Sequence, residues 1–316
     1  MPTATVEDFE AYRRELLVHC YRLLGSVHEA EDLVQETMIR AWRARDRYDE
    51  RMASVRTWLY KIATNACLTA LQGRARRPLP SGLGAASDDP YAPLVPSLQV
   101  PWLQPFPDSR LADPASRIAG RANLRLALIA AMQVLPPKQR AVLILRDVLE
   151  FTAAEVADQL ETSTAAVNSA LQRARTSLSA AAPAEADVAE PGDAAVESVL
   201  DRYIRAFESA DVGGLVALLT DDVMMEMPPI PLWYVGKVHY GQFIERVFGI
   251  RGDAWRMIPL TANCQPAVAA YCRDGEGLYQ LHTLQVFSIG AAGISRNVVF
   301  QESQVYADFG LAAVLS

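Results

Sequence analysis

The chain has 316 residues, 51% of them hydrophobic, and a formal net charge of −7. That length suits two or three domains, each with its own core. Four scattered cysteines (Cys20, Cys67, Cys264, Cys272) without C-x-x-C spacing exclude a disulfide framework and a zinc knuckle, and the lack of a signal pattern or a membrane-length apolar run leads us to expect a cytoplasmic protein with no membrane association and no cofactor or metal.

Charge is unevenly spread. Residues 1–77 carry +2, 78–116 carry −3, 117–182 carry +3 and 183–316 carry −9. The acid sits at the end, so the first and third segments can still face phosphates.

In residues 1–77, Leu16, Leu17, Cys20 and Leu24 recur at helical spacing up to Gly25. Leu33, Val34, Met38, Ala41 and Trp42 form the apolar side of a second helix, which carries Asp32, Gln35 and Glu36 together on another face. A carboxylate face suits a basic protein groove better than DNA, although charges alone also suit a solvated face. A third helix, marked by Leu59, Ile62, Ala63 and Ala66, interleaves aromatics with basic and amide groups: Tyr48 before it, Arg56, Trp58, Lys61 and Asn65 on it, Arg74 and Arg76 after it. Such a set can stack extruded bases while cations hold the backbone. Trp58 also reads as a core residue.

Residues 78–116 hold nine of the nineteen prolines and read as an extended linker; Ala180 to Asp193 reads as a shorter tether. Residues 117–182 are helical. Thr152-x-x-Glu155 is a capping box, Glu161 to Ser163 a turn, and the next helix buries Val167, Leu171, Ala174 and Leu178. Thr164, Ala165, Asn168, Ser169, Gln172, Arg173 and Arg175 remain for a DNA groove, where amides suit adenine and guanidinium groups suit guanine or phosphate. That is a helix-turn-helix.

Residues 194–316 change character. A helix (Val196, Val199, Leu200, Tyr203, Phe207) precedes strand-like runs such as Gly277 to Ile289 and Ile294 to Tyr306, so a helix on a curved antiparallel sheet is expected. Met225, Met227, Trp233, Tyr234, Phe243, Trp255, Tyr279 and Phe287 suit an apolar ligand pocket or a filled core. Asp222, Glu226, His239 and His282 are the acid–base candidates, with Asp221 and Asp222 expected at a helix-to-strand turn.

The run Asp32-Leu33-Val34-Gln35-Glu36 to Trp42 resembles the D-x-V-Q-E-x-F-x-x-x-W helix of region 2 in bacterial sigma-70-family factors of the extracytoplasmic-function group. Trp58-Leu59, Ile62-Ala63 and Asn65 resemble its W-L-x-x-I-A-x-N segment. Leu135 to Leu178 resembles region 4, with V-x-S-x-L-x-R-A-R matched from Val167 to Arg175. The pattern departs at Met38, Thr69, Gln72 and Ala170. The resemblance covers about the first 180 residues.

It implies a non-enzymatic promoter-specificity subunit that binds core RNA polymerase through the clamp helices and flap. Asp32, Leu33, Val34, Gln35 and Glu36 would dock on the clamp; Tyr48, Arg56, Trp58, Lys61, Asn65, Arg74 and Arg76 would meet the −10 element; helix 164–178 would read the −35 element. Two elements about 17 base pairs apart lie roughly 60 Å apart, and an extended linker of about 39 residues reaches twice that.

The last block is similar to the SnoaL-like branch of the NTF2-like superfamily, an α+β cone around an apolar pocket. The resemblance rests on the opening helix, on Leu218 to Val223 and on Met227 to Gly236. Met227, Trp233, Tyr234 and His282 are the pocket candidates, for a small apolar ligand; an anti-sigma factor is another partner the resemblance allows. The expected architecture is therefore multidomain: all-α region 2 (1–77), a linker (78–116), an all-α region 4 helix-turn-helix (117–182) and a regulatory α+β cone (194–316). Two readings compete: a stand-alone ligand-sensing DNA-binding regulator, and a sigma factor fused to an isomerase- or cyclase-like enzyme.

Overall fold

The computed structural model describes residues 9–111, 122–181 and 194–315. The chain divides into two compact units, one from Met1–Arg77 with Ser109–Pro183, the other from Pro78–Asp108 with Ala184–Ser316. Residues 112–121 of the expected linker and region 4, and the expected tether from residue 182 to 193, lie outside the described residues.

The first unit is helical: α1 (Arg13–Leu24), α2 (Val27–Ala44), α3 (Val55–Ala70), α4 (Leu126–Gln133), α5 (Pro137–Leu143), α6 (Ala153–Gln159) and α7 (Thr164–Ala181). Local chemistry sets the ends. Gly25 takes φ +70°, which a side chain disfavours, and stops α1. Ser26 and Ser54 cap α2 and α3, accepting the Glu29 and Thr57 amides at 3.4 and 3.1 Å. The box at Thr152 and Glu155 closes in both directions, at 3.2 and 2.7 Å. Leu16, Leu23 and Leu24 of α1, Val27, Val34 and Ala41 of α2, and Leu59, Tyr60 and Ala63 of α3 form one buried core.

Two buried polar groups tie this unit together. Arg140 on α5 donates to Gln133 Oε1 at 2.7 Å, to the Gln133 and Leu135 carbonyls at 3.0 and 3.2 Å, and to the Leu23 carbonyl at the end of α1. Burial lowers its pKa to about 10, which keeps it charged near neutrality. His19 Nε2 meets Thr64 Oγ1 at 2.9 Å, joining α1 to α3.

In the second unit, α8 (Ala194–Glu208), α9 (Val212–Val216), α10 (Lys237–Arg251) and α11 (Ser303–Asp308) accompany a sheet of β1 (Leu219–Glu226), β2 (Trp233–Val235), β3 (Trp255–Ala262), β4 (Gln265–Arg273), β5 (Tyr279–Gly290), β6 (Gly293–Phe300) and β7 (Val314–Leu315). The order is β2-β1-β6-β5-β4-β3, with β7 beside β5. β1 and β6 run parallel; the other pairs are antiparallel. Register shifts between Ala270 and Tyr271 and between Ser288 and Ile289 bend the sheet, as bulges do. Tyr203, Phe207, Tyr240, Phe243, Trp255 and Phe287 fill the core.

Three expectations need correction. The last strand stops at Phe300, and Ser303–Asp308 is helical with Val305 as its buried residue, so alternation does not reach Tyr306. Asp221 and Asp222 lie inside β1, not at a turn; a register shift between Leu219 and Met224 lets both face outward in succession.

The third concerns the proline-rich segment. Residues 78–108 form a strap held by the second unit, not a free linker. Prolines donate no backbone hydrogen bond, so the strap's carbonyls take donors from the cone. Trp233 Nε1 donates to the Gly84 carbonyl at 3.0 Å, Tyr234 OH to that of Asp89 at 3.1 Å, and Arg246 to those of Pro90 and Ala92 at 2.9 and 2.8 Å. At the strap's start the Ser81 amide donates to Glu226 Oε1 at 2.9 Å, and the fully buried Glu226 also pairs with Arg296 at 2.8 Å. At its end the Phe106 amide meets Asn263 Oδ1 at 2.7 Å and the Asn263 amide returns to the Phe106 carbonyl at 2.8 Å.

Two predictions test the first unit. Arg140→Met is expected to lower its stability by about 3 kcal/mol in urea unfolding, since several buried carbonyls lose their donor. Arg140→Lys should recover only part, because an ammonium lacks the planar fork. Burial first, then the charges of Arg22 and Arg56, lowers the His19 pKa from 6.5 to about 3. The unfolded chain therefore takes up a proton below 6.5 that the folded unit refuses until about 3, so stability falls as pH drops through that window. The slope should approach ~1.4 kcal/mol per pH unit, and His19→Gln should flatten it when urea unfolding is compared near neutrality and in mild acid.

Candidate functional site

Helix α2 presents two sides. Val34 is 1% exposed and belongs to the core with Thr37, Met38 and Ala41, so it positions the helix and does not reach a partner. Leu33 is half-buried; Asp32 and Gln35 are exposed, and Glu36 is partly so. Asp32 lies 3.7 Å from His28 and Glu36 pairs with Arg40 at 2.6 Å, both as neighbours along the helix. Trp42, expected on the buried side, is 43% exposed, with the Arg45 guanidinium 3.9 Å from its ring centre. Ile39 is 44% exposed. At i+7 and i+10 from Asp32 these two extend the carboxylate face with apolar surface. The spacing was in the sequence, but the apolar type of Trp42 pointed to the core.

The residues expected at the −10 element gather on and around α3. Tyr48 OH donates to the Ala53 carbonyl at 2.9 Å, and its ring lies 5.0 Å from Trp58, which also touches Phe9. Trp58 is half-buried between them. Arg56 reaches Glu15 at 3.3 Å and lies over the Tyr60 and Phe151 rings. Lys61 pairs with Asp158 at 3.1 Å, and Asn65 Nδ2 donates to the Gln159 carbonyl at 3.2 Å. Asp158 and Gln159 lie on α6, so the first helix of the helix-turn-helix covers Lys61 and Asn65. Arg74 is held apart from this group, on Glu29 at 2.9 Å, with exposed Arg76 next to it in sequence.

The helix-turn-helix has the expected anatomy. The Ala166 amide bonds Ser163 Oγ at 3.2 Å, and Val167, Leu171 and Ala174 are buried while Leu178 is half-buried. Thr164, Ala165, Asn168, Ser169, Gln172 and Arg173 are exposed along one flank of α7. Arg173 donates to Ser169 Oγ at 2.6 Å. Arg175 is bidentate on Asp147 at 2.7 and 2.8 Å, which raises its pKa and ties it to the π-helical turn Ile144–Val148 that follows α5.

In the second unit a cavity of about 200 Å³ opens between α8, α10 and the sheet. Met227 and His282 line it, with Met225, Phe243 and Trp255; Trp233 and Tyr234 do not, and serve the strap instead. Of the acid–base candidates, Asp222 is exposed, Glu226 is spent on Arg296 and Ser81, and His239 bonds the Val235 carbonyl at 3.1 Å. His282 alone of the four faces the cavity; burial first, then Arg251, lowers its pKa to about 4. Among the described residues no helix is long and apolar enough to cross a membrane, and no cluster of His, Cys, Asp or Glu could hold a metal.

A family model of sigma-70 region 2 matches residues 9–77 and one of sigma-70 region 4 matches residues 125–178. The chain is 48% identical over 307 residues to the ECF RNA polymerase sigma factor SigG of Mycobacterium tuberculosis (strain H37Rv), spanning 96% of this chain and 82% of that protein. It is 32% identical over 219 residues to SigJ of the same strain, 69% of this chain and 63% of that protein. A crystal structure of the Mycobacterium tuberculosis extracytoplasmic function sigma factor SigJ shares the fold, with a TM-score of 0.67 at 22% identity over 98% of this chain and 100% of that one. The chain belongs to the extracytoplasmic-function sigma factors of RNA polymerase, with an α+β domain following regions 2 and 4.

Proposed function

We propose that this sigma factor joins core RNA polymerase in the cytoplasm through the exposed face of α2, reads the −10 element with α3 and its flanks, and reads the −35 element with α7. The observation that carries the reading is the pairing of two unlike exposed faces on one chain: carboxylates with Ile39 and Trp42 on α2, amides with Arg173 on α7. The first suits a basic protein groove with an apolar floor. The second suits a major groove, where amide and guanidinium groups meet base edges.

The arrangement described is closed. Lys61 and Asn65 are in contact with α6, whereas the two promoter elements stand roughly 60 Å apart. Region 4 must leave α3 for both elements to be read at once. Opening breaks the exposed Lys61–Asp158 ion pair, worth little by itself, and also the buried bond from Arg140 to the Leu23 carbonyl, a cost that binding energy from polymerase and promoter offsets.

The C-terminal domain acts by binding and not by chemistry. Its cavity is lined by no carboxylate among the described residues, and Glu226 is committed to structure. It holds the strap that joins region 2 to region 4 in the chain, so it governs how much of that connection is free. Removing the domain by truncation near Ala182 leaves the strap without its donors.

Transcription of a promoter library by core enzyme with and without this protein tests the reading directly. In the double variant Asp32→Lys, Glu36→Lys, like charges at the interface are expected to weaken co-elution with core polymerase at least ~tenfold while circular dichroism is unchanged; Trp42→Ala should weaken it as well. Unaltered co-elution of all three changes together would remove α2 from the interface. Gln172→Ala should cost roughly 1–3 kcal/mol at one promoter position, whereas Arg173→Ala, if it holds phosphate, should weaken all sequences alike and flatten the salt slope. Base-substituted promoters titrated at two salt concentrations separate these outcomes, and full activity of both variants would show that α7 does not read the −35 element.

A further inference from the structure

Thr283, Gln285 and Asn297 give the cavity of the C-terminal unit a polar lining, and Gln285 and Asn297 are bonded to two buried tyrosines outside that lining. Tyr203 OH donates to Gln285 Oε1 at 2.9 Å and lies 3.0 Å from Tyr240 OH. Asn297 Nδ2 donates to Tyr240 OH at 2.8 Å and to Gln285 Oε1 at 3.2 Å. Gln285 passes its own amide on to Thr283 Oγ1 at 3.3 Å. These bonds fix which way the Asn297 amide points, because the flipped form would set two oxygens against each other at Gln285. One acceptor is left over: Asn297 Oδ1 has no hydrogen-bond partner, in a residue that is 1% exposed and lines the cavity. A buried acceptor without a donor costs free energy that a donor in the cavity would recover.

The walls define the rest of the occupant. Phe207, Met225, Phe243, Ile244, Val247 and Trp255 make them apolar. About 200 Å³ exceeds the ~150 Å³ apolar cavity that accepts benzene, so one or two fused rings fit. No carboxylate lines the space among the described residues, and Arg251 stands at its edge, so a cation has no counter-charge there. The strap supplies part of the wall through Leu94 and Pro96. It is pinned on either side of them, by Arg246 to the Pro90 and Ala92 carbonyls and by the Ser97 amide to the Pro229 carbonyl at 2.8 Å.

We propose that this cavity is a binding site for a small non-cationic molecule of one or two rings whose O–H or N–H donates to Asn297 Oδ1, and that its occupancy holds Leu94 and Pro96 of the strap in place. The site itself stands whether or not the promoter-reading assignments do; only its effect on transcription rests on them.

Calorimetric titration of the full chain with 2-naphthol and indole, and with the donor-free naphthalene and benzofuran, tests the site. Saturable one-to-one binding is expected, with the donors about tenfold tighter than their donor-free counterparts. Asn297→Leu should erase that preference. Should that variant fail to fold, Val247→Phe, which fills the cavity from α10, decides the matter: it should abolish binding by both donors with unfolding behaviour intact. Chymotryptic cleavage at the exposed Tyr91 and Leu98 should slow several-fold when wild-type protein is saturated with 2-naphthol. Absence of saturable binding by both donors, equal binding with and without a donor, or undiminished binding to Val247→Phe overturns the site. An unchanged cleavage rate at saturation overturns the coupling to the strap.

Discussion

A proline-rich chain offers carbonyls but few amides, and its carbonyls must find donors outside itself. In this protein the donors come from the C-terminal cone: Trp233, Tyr234 and Arg246 are aimed at the strap, and Glu226 receives the Ser81 amide. The connection between region 2 and region 4 is thereby fixed to a third domain. A free tether of the same length would impose only a weak entropic constraint on the distance between two DNA readers. A strap with both ends hydrogen-bonded to a folded domain removes most of that freedom from residues 81–106.

Glu226 shows how the cone pays this role its due. A carboxylate fully removed from solvent persists only when paired and hydrogen-bonded. Arg296 on the neighbouring β6 and the strap amide meet both needs, on opposite oxygens. The same residue read as an acid–base candidate in isolation is therefore a joint between sheet and strap. Its chemistry is used for position, and the polar lining of the cavity is left to Arg251, His282, Thr283, Gln285, Asn297 and Gln301.

The helical unit applies the opposite logic. Regions 2 and 4 meet through an exposed ion pair at Lys61, through side-chain-to-carbonyl bonds from Asn65, Arg22 and Arg140, and through a Tyr60–Phe151 ring contact. The strong polar element, Arg140, sits at the junction of α1, α4 and α5, away from the reading faces.

Local pattern alone determined much of this. Helix boundaries followed from Gly25, Ser26, Ser54 and the Thr152–Glu155 box, because caps act on orphan amides within four residues and need no distant partner. The buried stripe of α7 and the exposed flank opposite it followed from a period of 3.6 residues. The family was legible for the same reason: its motifs are contiguous runs. What the tertiary structure decided involved partners far apart in the chain. The strap looked like a linker because its hydrogen-bond donors lie some 150 residues away. Trp42 looked like core because type does not tell which side of α2 is covered. Lys61 and Asn65 looked free until α6 was placed over them, and Asn297 carried no signal at all until the network around it left one oxygen without a donor.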